Sequence, residues 1–121
     1  MVKEIEINGQ MVPFKATGAS IRLYRQQCGR DLLVDMQKLY KEYKENKSIT
    51  SELEIMLEDL AYCFLKQADP EGAPPTIDAW LDTLEPFTII KICPQIIELW
   101  QLNNLTTATA KKKQAGNRTG R

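Results

Sequence analysis

Between Ser51 and Ala68 the residues Leu53, Met56, Leu57, Leu60, Ala61, Phe64, Leu65 and Ala68 recur at three- and four-residue spacing. Only an α-helix brings that period to one side of a chain. The stripe is wider than a surface helix needs, so neighbours must cover it from several directions. This segment is expected to be the central helix of the fold, with every other element packed around it. Ser51-Glu52-Leu53-Glu54 has the pattern of a capping box and sets the start. Asp69-Pro70-Glu71-Gly72-Ala73-Pro74-Pro75 is a loop by composition and sets the end. A chain of 121 residues supports one such core rather than two.

The remaining elements follow from turn and cap chemistry. Lys3-Glu4-Ile5-Glu6-Ile7 alternates, Asn8-Gly9 provides the two positive-φ residues of a type I′ turn, and Gln10 to Lys15 returns. A two-residue turn pairs Ile7 with Gln10, Ile5 with Val12, Glu4 with Pro13 and Lys3 with Phe14. Ile5, Ile7, Val12 and Phe14 then share a face that must lie on helices, because two strands alone are marginal. Thr17 or Ser20 is expected to cap a short helix with Ile21, Leu23 and Tyr24, ended by Gly29. Asp31 caps a second helix with Leu32, Met36, Leu39 or Tyr40, and Tyr43 on one face, and its charged end, Lys41 to Lys47, is an exposed helix terminus.

After the loop, Thr76 caps a helix over Ile77 to Leu84 with Trp80, Leu81 and Leu84 apolar, and Pro86 interrupts it. A last helix runs from about Phe87 to Leu102. Pro94 lies inside it at a cost of about 3 kcal/mol, while Ile89, Ile92, Cys93, Ile96, Ile97 and Trp100 continue the apolar face. The expected fold is mainly α: an N-terminal β-hairpin packed on a compact bundle of about five short helices. The domain spans 1–103, and 104–121 is a disordered basic tail.

The formal net charge of zero conceals an asymmetry. Five of the sixteen Lys and Arg residues lie beyond Asn103 and no acid does, so the body carries eleven against sixteen, a net of −5. An acidic body argues against nucleic acid as its specific partner. The tail has Leu105 as its one large apolar residue. Ordering each residue costs about 1–2 kcal/mol of backbone entropy, and exposed ion pairs return only about 0–1 kcal/mol each, hence the expectation of disorder. No stretch reaches the roughly 18 apolar residues of a membrane span. The start, MVKEIEING, lacks a signal-peptide pattern, so no membrane association and a cytoplasmic location are expected.

Catalytic constellations are missing from the sequence. There is no His, which removes the usual triads and Cys–His dyads. Cys28, Cys63 and Cys93 are odd in number and widely spaced, as neither a disulfide framework nor a zinc site would be, and read as buried or half-buried thiols. Thr17-Gly18-Ala19-Ser20 is a helix-cap context rather than a phosphate loop. Glu58-Asp59 and Asp82/Glu85 read as solvated helix surface. No enzyme activity, cofactor or metal is expected. One alternative class is a small helical DNA-binding regulator, in which the helices flanking Gly29 form a helix-turn-helix and bring Arg22, Arg25 and Arg30 to DNA. Trp80 and Trp100, with Phe87 between them, are either core or part of an exposed groove for a partner helix.

An ordered set of segments carries a resemblance. Val12-Pro13-Phe14-Lys15-Ala16-Thr17-Gly18-Ala19-Ser20-Ile21-Arg22-Leu23-Tyr24-Arg25, Gly29-Arg30-Asp31-Leu32-Leu33-Val34-Asp35, Leu60-Ala61-Tyr62, Ile77-Asp78-Ala79-Trp80-Leu81 and Pro94-Gln95-Ile96-Ile97-Glu98-Leu99-Trp100 together resemble the tail assembly chaperones of tailed phages and prophages of Gram-positive bacteria. The similarity covers about residues 3 to 103. It implies a non-enzymatic protein that coats the helical tape measure protein before tail tube subunits polymerise round it, and that is not kept in the virion. It also implies a longer form, made by a programmed frameshift, whose extension recruits the tube protein. On that implication the partner contact is expected near Trp80, Leu84, Phe87 and Trp100, with self-association through the hairpin edges or the Trp100 surface allowed. Lys111-Lys112-Lys113 becomes the expected slip site, since lysine codons are A-rich.

Overall fold

A computed structural model describes residues 1–46 and 50–101. The expected tail, 104–121, and the slip site at Lys111–Lys113 lie outside the described residues. The order is β1 (Val2–Ile7), β2 (Gln10–Lys15), α1 (Ala19–Cys28), α2 (Leu32–Asn46), α3 (Ser51–Ala68), α4 (Ile77–Leu81) and α5 (88–101). The fold is mainly helical with an N-terminal hairpin, as the patterning requires. Among the described residues no helix is long and apolar enough to cross a membrane.

The hairpin adopts the register set by its turn, with Ile7 opposite Gln10, Ile5 opposite Val12, Glu4 opposite Pro13 and Lys3 opposite Phe14. Asn8 and Gly9 take φ of 52° and 81°, the conformation that makes Asn-Gly the preferred type I′ pair. Ile5, Ile7 and Phe14 are buried and Val12 is half-buried against the same core. That face rests on α3 through β2. Lys3 Nζ donates to Glu98 Oε1 at 3.0 Å, an ion pair between the hairpin and α5.

α3 is the centre. Leu60 to Leu65 are six consecutive buried residues, which places helix or sheet on every side of the middle turns: β2, α1, α2 and α4 all pack on it. The stripe read from the sequence is buried up to Leu65, and Tyr62 and Cys63 join it from outside the stripe. On α2, Leu32, Met36 and Leu39 are buried while Tyr40 is exposed, so the face runs through Leu39. α5 buries Ile89, Ile92, Cys93, Ile96, Ile97 and Leu99, and Trp100 stacks on Phe64 of α3 at 6.4 Å with the rings 8° from parallel. Pro94 is exposed. Ile90, whose carbonyl finds no N–H on Pro94, is exposed as well, so the lost bond falls on the solvent side and the packed sides stay intact.

Several boundaries differ from expectation. The N-cap of α3 is Thr50, one residue before the capping box, because Thr50 holds the extended conformation and its side chain accepts from the Leu53 N–H. Neither Thr17 nor Ser20 is the N-cap of α1; Gly18 is. Thr17 Oγ1 accepts from the Ala19 N–H, and Ser20 Oγ accepts from the Thr17 N–H. Asp31 accepts from Leu33 and Val34, and Thr76 accepts from Ala79, as expected of caps. α4 stops at Leu81 rather than Leu84. Thr83 Oγ1 donates to the Trp80 carbonyl at 2.6 Å, and the following turns tighten to three-residue spacing before Pro86.

Candidate functional site

Gly29 turns the chain between α1 and α2 at φ 77°, a conformation that suits glycine. This turn brings Arg30 over the ring of Tyr24, 5.7 Å from its centroid. Arg30 Nε donates to Asp35 Oδ2 at 2.8 Å, and its Nη2 donates to the Tyr24 hydroxyl at 3.0 Å and to Asp59 Oδ2. The Tyr24 hydroxyl in turn donates to Asp35 Oδ2 at 2.6 Å. Burial, followed by the bond to Asp35, pushes the Tyr24 hydroxyl far above its ordinary range. Partial burial works against the charge on Arg30, but hydrogen bonds to Asp35, Asp59 and Tyr24 outweigh it and hold the guanidinium up. A side chain from each of α1, α2 and α3 thus meets one cation. The arrangement ties three helices together and leaves neither a poised base nor a nucleophile.

Beside this tie, α1 and α3 diverge over an open groove of about 590 Å³. Leu23, Gln26 and Gln27 form the α1 wall; Asp59, Tyr62, Cys63, Lys66 and Gln67 form the α3 wall; Pro70, Pro75, Thr76 and Ile77 close the far side. Its polar edges are held in place. Gln27 Nε2 donates to the Asp59 carbonyl at 2.9 Å, and Gln67 joins Thr17 and Ser20. The Tyr62 hydroxyl donates to the Pro74 carbonyl at 2.6 Å and anchors the loop, while Lys66 Nζ lies 5.8 Å from the Tyr62 ring centroid. Cys63 is 3 % exposed and burial pushes its thiol up to about 12, so it stays protonated and serves as apolar floor. All three cysteines are free, Cys28 half-buried and the other two buried.

The four residues expected at a partner contact separate. Trp80 is 4 % exposed, edge-on to Phe14 at 6.4 Å and tilted against Tyr62 at 6.0 Å. It is core, and it also lines a smaller hollow of about 240 Å³ between β2 and α4. The expectation that Trp80 presents a binding surface is therefore corrected, because the hairpin covers the indole. Leu84 and Trp100 are half-buried against the core. Phe87 alone of the four is open, at 67 % exposure, in the turn before α5, and Ile90 in the first turn of α5 is exposed as well.

The acidic pairs also separate. Asp82 and Glu85 are exposed as expected, but Glu58 and Asp59 are half-buried. Asp59 is engaged by Arg30. The Glu58 carboxyl is raised by burial and then by the neighbouring charges of Glu54, Asp59 and Asp78. Among the described residues no group of three or more His, Cys, Asp or Glu is placed to hold a metal ion.

The groove was not read from the sequence, though its signal was present. Leu23 lies off the face that Tyr24 defines on α1, and Tyr62 and Cys63 lie off the stripe of α3. Apolar residues out of phase on two adjacent helices mark a second apolar surface. Compared with known proteins, the chain matches no family model, no curated protein and no solved structure.

Proposed function

We propose that the chain is a tail assembly chaperone of a tailed phage or prophage, and that it binds the helical tape measure protein through the groove between α1 and α3. The groove is the observation that carries this reading. From Asp59 to Gln67 its α3 wall rises about 12 Å, two turns of helix, which suits anchors at i, i+3 or i+4, and i+7 of a docked amphipathic helix. A tape measure awaiting its tube exposes apolar helix faces, and many weakly held copies of a small acidic domain would keep them dispersed. Weak contact also permits displacement by arriving tube subunits. In this scheme the protein acts without catalysis in the bacterial cytoplasm. A longer form arising near Lys111–Lys113 recruits the tube protein, and neither remains in the virion. The DNA-binding alternative needs Arg22, Arg25 and Arg30 free, whereas Arg25 pairs with Asp31 and Arg30 is held by Asp35 and Asp59.

The test begins with the neighbouring genes, where a very long coiled-coil gene immediately downstream supports the reading and its absence counts against it, and continues with co-expression of the chain and the product of that gene. Leu23 is 38 % exposed, so Leu23→Glu burdens the groove and spares the core. The wild-type chain should co-purify with that product, and Leu23→Glu should lose it while its melting temperature stays unchanged. Failure of the wild type to retain the tape measure, or retention by Leu23→Glu, refutes the reading. A specific gel shift at moderate salt would favour the regulator instead.

A further inference from the structure

Most of the polar groups that line the groove are engaged within the fold. Asp59 is paired with Arg30, and the Gln27 amide donates to the Asp59 carbonyl at 2.9 Å. Gln67 accepts from Ser20 and donates to Thr17, the Tyr62 hydroxyl donates to the Pro74 carbonyl, and Thr76 accepts from the Ala79 N–H. Gln26 is unbonded among the described residues, but an amide meets a donor or an acceptor equally well. Lys66 differs from all of these. It is exposed, it lines the groove, and it makes no ion pair among the described residues. Asp69, the nearest acid along α3, instead accepts from the Gly72 N–H at 2.9 Å. The Lys66 ammonium lies 5.8 Å from the centroid of the anchored Tyr62 ring, an attraction that keeps it beside the groove. Gln27 against Asp59 and Ser20 against Gln67 set α1 and α3 antiparallel. One end of the groove therefore carries a carboxylate already answered by Arg30, and the other an unanswered cation.

We infer that the helix taken by this groove carries an Asp or Glu at the end of its apolar face, one turn beyond the anchor that packs on Tyr62, where it meets Lys66. The inference rests on the docking role proposed above and adds the charge of the segment that docks. Tyr62 and Lys66 are one turn apart, about 6 Å along α3. A carboxylate three or four residues from the Tyr62 anchor falls level with the ammonium. The apolar floor of Leu23, Tyr62 and Ile77 supplies affinity without direction. Lys66 supplies direction: a helix with lysines at that end is repelled, and a reversed helix gains nothing beside Asp59. The chain's own end has five cations and no acid beyond Asn103, so it has no carboxylate side chain to offer Lys66.

The experiment uses the full chain and three synthetic helical peptides with the same leucine face. They carry glutamates, glutamines or lysines in the turn beyond one end of that face. Binding is followed by fluorescence anisotropy at about 50 mM salt, where exposed charges are weakly screened. The glutamate peptide should bind about three- to fivefold tighter than the glutamine peptide, the range of an exposed ion pair, and the lysine peptide more weakly than either. Lys66→Gln should erase that order without altering the affinity of the glutamine peptide, and Lys66→Glu should reverse it. Leu23→Glu should abolish binding of all three. Equal binding of the three peptides, or a glutamate preference that survives Lys66→Gln, overturns the inference while leaving the groove as a docking site. Binding of none overturns both. A synthetic peptide of residues 104–121 that competes as well as the glutamate helix would overturn it by assigning the groove to the chain's own end. A dimer by light scattering that Leu23→Glu dissociates would overturn it by assigning the groove to a second copy.

Discussion

Replacing Trp80 by alanine separates core from surface more sharply than any other single change. The indole is 4 % exposed and contacts Phe14 edge-on at 6.4 Å and Tyr62 at 6.0 Å. Truncating a buried tryptophan costs about 3–5 kcal/mol, the spread reflecting how far the site collapses. Here one side of the ring opens on the hollow of about 240 Å³ lined by Val12, Pro13, Leu65 and Thr83. Water can enter the vacated space from that side, which places the expectation near the lower figure, about 3 kcal/mol. For a domain of this size each kcal/mol lowers the melting temperature by about 4–8 °C, so the drop should be about 12–24 °C. Phe87, at 67 % exposure, is the control, and Phe87→Ala should stay within about 0.5 kcal/mol of wild type. Circular dichroism melts and urea titrations measure both, with an unchanged urea slope showing that the folded state is still compact. The assignment fails if Trp80→Ala melts within a few degrees of wild type, or if Phe87→Ala is as damaging.

Three further outcomes follow from other sites. Asp35→Ala leaves the Tyr24 hydroxyl and Arg30 without their shared acceptor; loss of one partner from a buried pair costs about 3–5 kcal/mol, lowered to about 2–3 kcal/mol because Arg30 keeps contact with water, and urea denaturation reads it directly. The Glu58 carboxyl is raised above 4.5 in the fold, so the folded chain binds that proton more tightly than the unfolded chain, and stability is lost as pH rises from the unfolded value through the raised one. Glu58→Gln should therefore raise the melting temperature at about pH 7 and have no effect below about pH 4. Among the thiols, Cys28 is half-buried while Cys63 and Cys93 are buried and pushed up to about 12. A thiol-reactive dye at neutral pH should label Cys28 first and reach the other two only in denaturant.

The local elements were legible because their determinants are local. Asn8-Gly9 sets the hairpin register through two φ angles, and Gly29, Asp31 and Thr76 mark helix ends through backbone conformation or a side-chain cap. The shift of the α3 cap from Ser51 to Thr50 shows the limit of that reading, since adjacent hydroxyls are equivalent until the backbone chooses one. The candidate site was less legible. Arg30 and Asp59 are 29 residues apart and Ser20 and Gln67 are 47 apart, and no periodicity reports a pairing at such separation.

By itself the sequence determined that a helix over Ser51–Ala68 would be central, that a hairpin would pack on it, and that the chain holds a single acidic body. Those properties are sums over composition and over the periods of helix and strand. The tertiary structure alone decided that Trp80 is covered while Phe87 is open, that Arg30 is neutralised by two carboxylates, and that Leu23, Tyr62 and Ile77 line one groove. An apolar side chain on a helix is equally ready to meet a neighbouring element or a partner. Which of them it meets depends on the crossing of helices that sequence spacing does not encode.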